Sequence, residues 1–108
     1  MKFREIIHIM TEPTRYKILQ LLMERHYCVK TIAKKLNISE SAVSQHMNVL
    51  KNAGLISGTK MGYHMHYLIN TNFLEQLSHQ FSSLVNSAKQ EKELTKECIC
   101  EYECGRKH

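Results

Sequence analysis

Apolar residues recur at helical spacing over most of the chain. Phe3, Ile6, Ile7 and Met10 mark a short amphipathic helix over 3–10. Pro13 then opens a second helix, because its missing N–H has no helical partner in the first turn anyway. That helix runs to about Arg25, and Ile18, Leu19, Leu21 and Leu22 make it broadly apolar and central to a core. His26-Tyr27-Cys28 reads as a connector. Val29 to Leu36 is a short third helix with Ile32, Ala33 and Leu36 facing inward. Asn37-Ile38-Ser39 is a tight turn, and Ser39 is placed to cap a fourth helix by accepting from a free backbone N–H. Val43, Met47 and Leu50 carry that helix to Gly54, a left-handed cap position.

The pattern changes after Gly54. Residues 55–59 and 63–69 read as two short strands flanking a tip at Lys60-Met61-Gly62. On the second strand Tyr63, Met65 and Tyr67 share one face, with His64, His66 and Leu68 on the other. Asn70 caps a last helix whose apolar stripe includes Phe73, Leu74, Leu77, Phe81, Leu84, Val85 and Ala88. Taken to about Lys96, that helix would be roughly 37 Å long at 1.5 Å per residue. A stripe that outruns its own core needs a cover, and a second copy of the chain is the simplest one. Phe73, Leu77, Phe81 and Leu84, with Phe3, Ile6, Ile7 and Met10 of the first helix, are the candidate dimerisation residues. The expected class is mainly α with a small β-hairpin.

Composition sharpens this picture. The 108 residues suffice for one domain with a modest core. With 4 Gly and 1 Pro, a many-stranded sandwich or barrel is disfavoured. No apolar run is long enough to span a membrane, and the early Glu5, His8 and Glu12 do not fit a secretory signal, so a cytoplasmic location is expected. Charge is uneven. Residues 1–70 carry ten Lys/Arg against four Glu, a net +6, whereas residues 71–108 carry five against six, a net −1. A basic front suits a polyanion, or is simply a solvated basic surface.

The pair of helices over 29–36 and 39–53 has the spacing of a helix-turn-helix, whose second helix meets base edges in the major groove. Its exposed positions are Glu40, Ser41, Ser44, Gln45, Asn48 and Lys51. Ser, Gln and Asn can reach bases and phosphates, and Lys51 supplies charge toward a phosphate. The segments Thr11-Glu12-Pro13-Thr14-Arg15-Tyr16-Lys17-Ile18-Leu19 and Ser39 to Ile56 closely resemble the second helix, the recognition helix and the lead into the wing of the ArsR/SmtB winged-helix repressors, a likeness over about residues 5–78. The resemblance implies a homodimer bound to double-stranded operator DNA with two-fold pseudosymmetry, and release when an inducer, often a metal or metalloid ion, binds. Carried over by position, it places Ser39, Glu40, Ser41, Ser44, Gln45 and His46 at the DNA, with Lys60 on the wing. His46 can equally pack, since it adjoins the inward Met47. Relatives often carry Gln where this chain has Glu40; a carboxylate repels phosphate but can accept from cytosine N4, so the target sequence is expected to differ.

Four cysteines remain: Cys28, Cys98, Cys100 and Cys104. Thiols held reduced in a cytosol point to metal or redox chemistry before structural disulfides. The resemblance implies one inducer site at a Cys-x-Cys pair opening the third helix, but here Cys28 is followed by Lys30, and an ammonium is no ligand. It implies another along the last helix, where Thr71, Phe73, Leu84 and Ser87 are poor Zn²⁺ ligands. That leaves the tail over 97–108, taken as a separate segment from 1–96. Three thiolates there suit As(III) or Sb(III), Cd²⁺, Zn²⁺ or Cu(I), with Cys28 or His108 as an added ligand where four are needed. On an ideal helix Cys98 and Cys100 are roughly 200° apart and Cys100 and Cys104 roughly 40° apart. One ion on all three therefore needs local unwinding near Cys98, or ligands from two chains. A thiol redox or persulfide switch, or a tail with no sensing role, are the other readings. An enzyme is disfavoured: there is no Asp, no phosphate loop and no nucleophile–base motif. A cytosolic metal buffer would account for the tail but not for the recognition helix.

Overall fold

The computed structural model describes residues 1–90. Its elements are α1 (Phe3–Met10), α2 (Pro13–Glu24), β1 (Tyr27–Cys28), α3 (Val29–Leu36), α4 (Glu40–Asn52), β2 (Ile56–Met61), β3 (His64–Ile69) and α5 (Thr71–Lys89). The three strands form one antiparallel sheet in the order β1-β3-β2. This is a winged helix-turn-helix: a helical body, a β2–β3 wing and a long last helix.

Chain chemistry sets the helix ends. Glu12 caps α2, its carboxylate accepting from the backbone N–H of Thr14 at 2.8 Å and of Arg15 at 3.0 Å. Ser39 caps α4 by accepting from Ala42 N at 3.1 Å. Asn70 caps α5 by accepting from Phe73 N at 3.2 Å. The two helices of the helix-turn-helix end alike. Asn37 is left-handed (φ 56°), and Ile38 N donates to Ala33 O at 3.1 Å. Gly54 is left-handed (φ 88°), and Leu55 N donates to Leu50 O at 3.0 Å. This six-to-one closure turns the chain sharply and sets an apolar residue against the helix it has just left. Leu50 and Leu55 are accordingly fully buried.

The core lies between α2, α3 and α4, where Ile18, Leu19, Ile32, Val43, Met47 and Leu50 are essentially inaccessible. Met47 and Val43 point inward as expected, which turns the opposite side of α4 to solvent.

Three expectations need correction. The connector over 26–28 contains a strand, since Tyr27 pairs with Tyr67 and Cys28 with His66. The hairpin tip is Gly62-Tyr63 rather than Lys60-Met61-Gly62; Lys60 and Met61 lie in β2, paired with Met65 and His64. Gly62 has φ 66° and Tyr63 does not share the positive φ, the pattern of a two-residue turn that needs Gly first. Finally, α5 closes at Lys89, with Gln90 outside the helical region at φ −56°, ψ 125°, and residues 91–96 of the expected helix lie outside the described residues.

Candidate nucleic-acid interface

At about 100° per residue, Ser41, Gln45, Asn48 and Asn52 fall within a sector of roughly 60° on α4. All four are exposed, and Ser44 at the edge of the sector is half-buried. Ser39 and Glu40 stand exposed at the start of the helix and Lys51 near its end. The Ser39 and Ser41 hydroxyls are 3.3 Å apart, so both sit where the unpaired N–H groups of a helix start favour a phosphate. Glu40 suits the helix dipole but opposes a phosphate at the same place. Asn52 was not among the sequence candidates, although its spacing of 4, 7 and 11 from Asn48, Gln45 and Ser41 carries the signal.

His46 is turned differently. It is half-buried, and its Nδ1 lies 3.4 Å from Arg15 Nη1. A guanidinium only donates, so Nδ1 accepts and the ring proton of the neutral form sits on Nε2. Arg15 also donates through Nε to Ile9 O at 2.7 Å. Beside them, Glu12 is held below the usual carboxylate value. The main cause is the Arg15 backbone N–H, opposed by partial burial and reinforced by the Thr14 backbone N–H and by the nearby His46 ring and Arg15 guanidinium. Arg15 thus ties α1, the start of α2 and α4 together and fixes the recognition helix from behind. Sequence spacing could not join Arg15 to His46, 31 residues away.

The wing carries Lys60, exposed on β2. Its tip residue Tyr63 is 98% exposed, and Met61 and Met65 flank it. A groove of about 220 Å³ lies between the wing and the start of the helix-turn-helix, lined by Cys28, Lys30, Glu40, Tyr63, His64 and Met65 among others. Within it Lys30 brings a cation to the neighbourhood of Glu40. The Cys28 thiol is lowered from its ordinary value, chiefly by the Thr31 hydroxyl 3.3 Å from Sγ. The backbone N–H groups of Thr31 and Lys30 act in the same direction, against the cost of burial.

The candidate dimerisation residues divide into two sets. Ile6 and Leu77 are buried within the chain's own core, and Phe3, Ile7, Met10 and Phe73 are half-buried. Phe81 is 59% and Leu84 56% exposed, and with Val85 they form an apolar strip on α5 that the single chain leaves open. Asn70 links this helix to the recognition helix: its Nδ2 donates to Gly54 O at 3.2 Å and its N–H to Leu55 O at 2.9 Å. The tail candidates Cys98, Cys100, Cys104 and His108, the 97–108 segment and its boundary at 96 lie outside the described residues. Among the described residues, no three His, Cys or carboxylate groups converge as a metal site, and no helix is long and apolar enough to cross a membrane.

Fold and exposed α4 face together define a winged helix-turn-helix DNA-binding regulator. Residues 12–57 match the family described as "Bacterial regulatory protein, arsR family". The chain is 33% identical over 81 residues to the transcriptional repressor SdpR of Bacillus subtilis, covering 75% of this chain and 90% of that one. It therefore belongs to the ArsR/SmtB family of transcriptional regulators. A solved structure described as a "possible transcriptional regulator for arsenical resistance" superposes with a TM-score of 0.66 at 32% identity, covering 82% of this chain and 97% of that one. The homodimeric winged helix-turn-helix domain Mb0332 of Mycobacterium bovis shares the fold, with a TM-score of 0.61 at 18% identity over 83% of this chain and 84% of that one.

Proposed function

We propose that the chain is a homodimeric repressor that reads a two-fold pseudosymmetric operator with Ser41, Ser44, Gln45, Asn48 and Asn52. Ser39 and Lys51 contact phosphate, and Lys60 of the wing meets the adjoining backbone. The carrying observation is the exposed polar sector of α4, turned outward by a buried Val43–Met47–Leu50 edge on a basic domain. Glu40 discriminates among bases rather than adding affinity. Dimerisation through α5 sets the two recognition helices about one turn of DNA apart, roughly 34 Å.

The inducer is a thiophilic ion (As(III), Sb(III), Cd²⁺, Zn²⁺ or Cu(I)) held by Cys98, Cys100 and Cys104, with Cys28 or His108 as a further ligand where the ion needs one. The likeness to a structure described in terms of arsenical resistance supports this class of inducer. Ion capture by the tail alters the dimer, and the Asn70–Gly54 contact couples α5 to the end of α4. A coupling of about 1–3 kcal/mol suffices to weaken DNA binding some 5- to 150-fold. The lowered Cys28 thiol favours one second reading, a switch in which Cys28 and a tail cysteine are oxidised together.

The test is anaerobic fluorescence anisotropy on a duplex from upstream of the protein's own gene, with each ion in turn. Release by one ion that is lost when Cys98, Cys100 and Cys104 become Ser is the expected result. Binding indifferent to every ion but released by an oxidant or persulfide supports the redox reading. No specific DNA binding refutes both.

A further inference from the structure

His26 lies just beyond α2 and His66 in the middle of β3, 40 residues apart in sequence. The sheet brings them together. β1 pairs with β3 so that Cys28 stands opposite His66, and His26 one residue ahead of β1 comes alongside. Their Nδ1 atoms are 2.9 Å apart, the ring centroids 4.9 Å, and the ring planes cross at 64°. At that distance one Nδ1 carries a proton that the other accepts. The surrounding backbone is held on both sides. The Tyr27 hydroxyl donates to Glu24 Oε1 at 3.4 Å, and the Lys35 ammonium lies 5.4 Å from the centre of the Tyr27 ring. Neither histidine belongs to the α4 face, to the α5 strip or to the tail.

We infer that His26 and His66 form a binding site for a divalent transition-metal ion of tetragonal preference, Ni(II) or Cu(II), at the root of the wing. Imidazole nitrogen suits these ions. With metal–nitrogen bonds of about 2.0–2.1 Å, two ligands at a right angle stand about 2.9 Å apart, and two at a tetrahedral angle about 3.3 Å. The observed spacing is that of the right-angled pair, a cis edge of a square-planar or octahedral sphere. Ring rotations turn the two lone pairs from each other toward one point. On binding, the donor ring changes tautomer: its Nδ1 proton passes to solvent and its Nε2 takes one up, so both rings stay neutral. Each Nδ1 then gives a lone pair to the ion, with no change in oxidation state. Water fills the remaining positions, since no third His, Cys or carboxylate of the described residues converges there. His26 is exposed and His66 half-buried, so the ion and its waters reach the pair from solvent. The metal bridge replaces a single hydrogen bond between the α2–β1 connector and β3. It therefore stiffens the wing against the helical body.

The site is separate from the tail thiols, and its test keeps them apart. In the full chain with Cys98, Cys100 and Cys104 changed to Ser, Ni(II) is titrated at pH about 7.5, above the reference value of free histidine. Calorimetry measures binding and the histidine ring resonances locate it. The expected result is one ion per chain, with the His26 and His66 resonances perturbed first. H26Q and H66Q should each weaken binding about tenfold or more, and the double variant at least as much as either. C28S, H64Q, H79Q and H108Q should leave it unchanged. Ni(II) should also raise the melting temperature of the parent chain but not of H26Q. Circular dichroism checks each fold, and if H66Q does not fold, H26Q in the exposed connector decides. Binding that survives H26Q, that is lost in any of the four control variants, or that is not seen at all overturns the site.

Discussion

Phe81→Ala removes the largest side chain of the open α5 strip. An aromatic side chain accounts for roughly 150–250 Å² of contact surface. With 59% of Phe81 exposed in the single chain, roughly 90–150 Å² per protomer is left for a partner to cover. At about 25 cal/mol per Å², complete cover of one copy contributes about 2–4 kcal/mol. A two-fold interface uses the residue twice, so half cover on each side gives the same sum. The dimer dissociation constant should rise about 30- to 700-fold. Ala is the best helix former and the site is exposed, so the folded protomer itself should be unharmed. Sedimentation equilibrium across a concentration series measures the shift, with circular dichroism as the control. Operator affinity should fall in parallel, because one recognition helix then binds without its partner. Unchanged self-association in a folded F81A chain would refute the assignment of this face to the dimer.

Gly54→Ala should cost about 1–2 kcal/mol, the strain of a left-handed L-residue, measured by urea unfolding at fixed protein concentration. The nearest atoms to an added Cβ are those of the Phe73 ring, at an ordinary 3.6 Å, so backbone strain and not a clash is the expected cause. A loss below about 0.5 kcal/mol would mean that the turn tolerates a side chain. Glu12→Ala should cost about 1 kcal/mol for the lost cap. Because the folded pKa of Glu12 is lowered, its contribution is complete above the ordinary value of 4.5 and is lost as pH falls through the folded value. The stability gap between wild type and E12A should therefore close on acidification, and a gap that is flat or widens there contradicts the cap. Thr31→Val removes the hydroxyl that lowers the Cys28 thiol. The midpoint of the pH–rate profile for Cys28 alkylation, followed at that residue by mass spectrometry, should move upward. An unmoved midpoint would assign the lowering to the backbone N–H groups instead.

The helices were legible because each has both a periodic apolar face and a readable boundary. Ser39 and Asn70 cap as their residue types suggest, and Asn37 and Gly54 take the left-handed positions that end α3 and α4. What escaped was long-range. The two-residue β1 has no alternation of its own; it is a strand only because β3 lies beside it. The hairpin tip moved because a two-residue turn needs its positive φ at the first position, which only Gly62 supplies without strain. The outer face of α4 could be read from spacing alone, including Asn52. The role of His46 could not, since its partner Arg15 is on another helix. Likewise, periodicity joined Leu77 and Phe81 in one stripe, but only packing separates the core residue from the open one.

The most direct measurement compares wild type and Gln45→Ala on two duplexes, one from upstream of the protein's own gene and one of scrambled sequence at the same salt. If α4 reads base edges, the substitution should weaken binding to the first by about 1–3 kcal/mol and leave the second unchanged. Both affinities should fall steeply as salt rises, because phosphate contacts dominate each. Equal loss on the two duplexes, or none on either, would contradict sequence readout through this face.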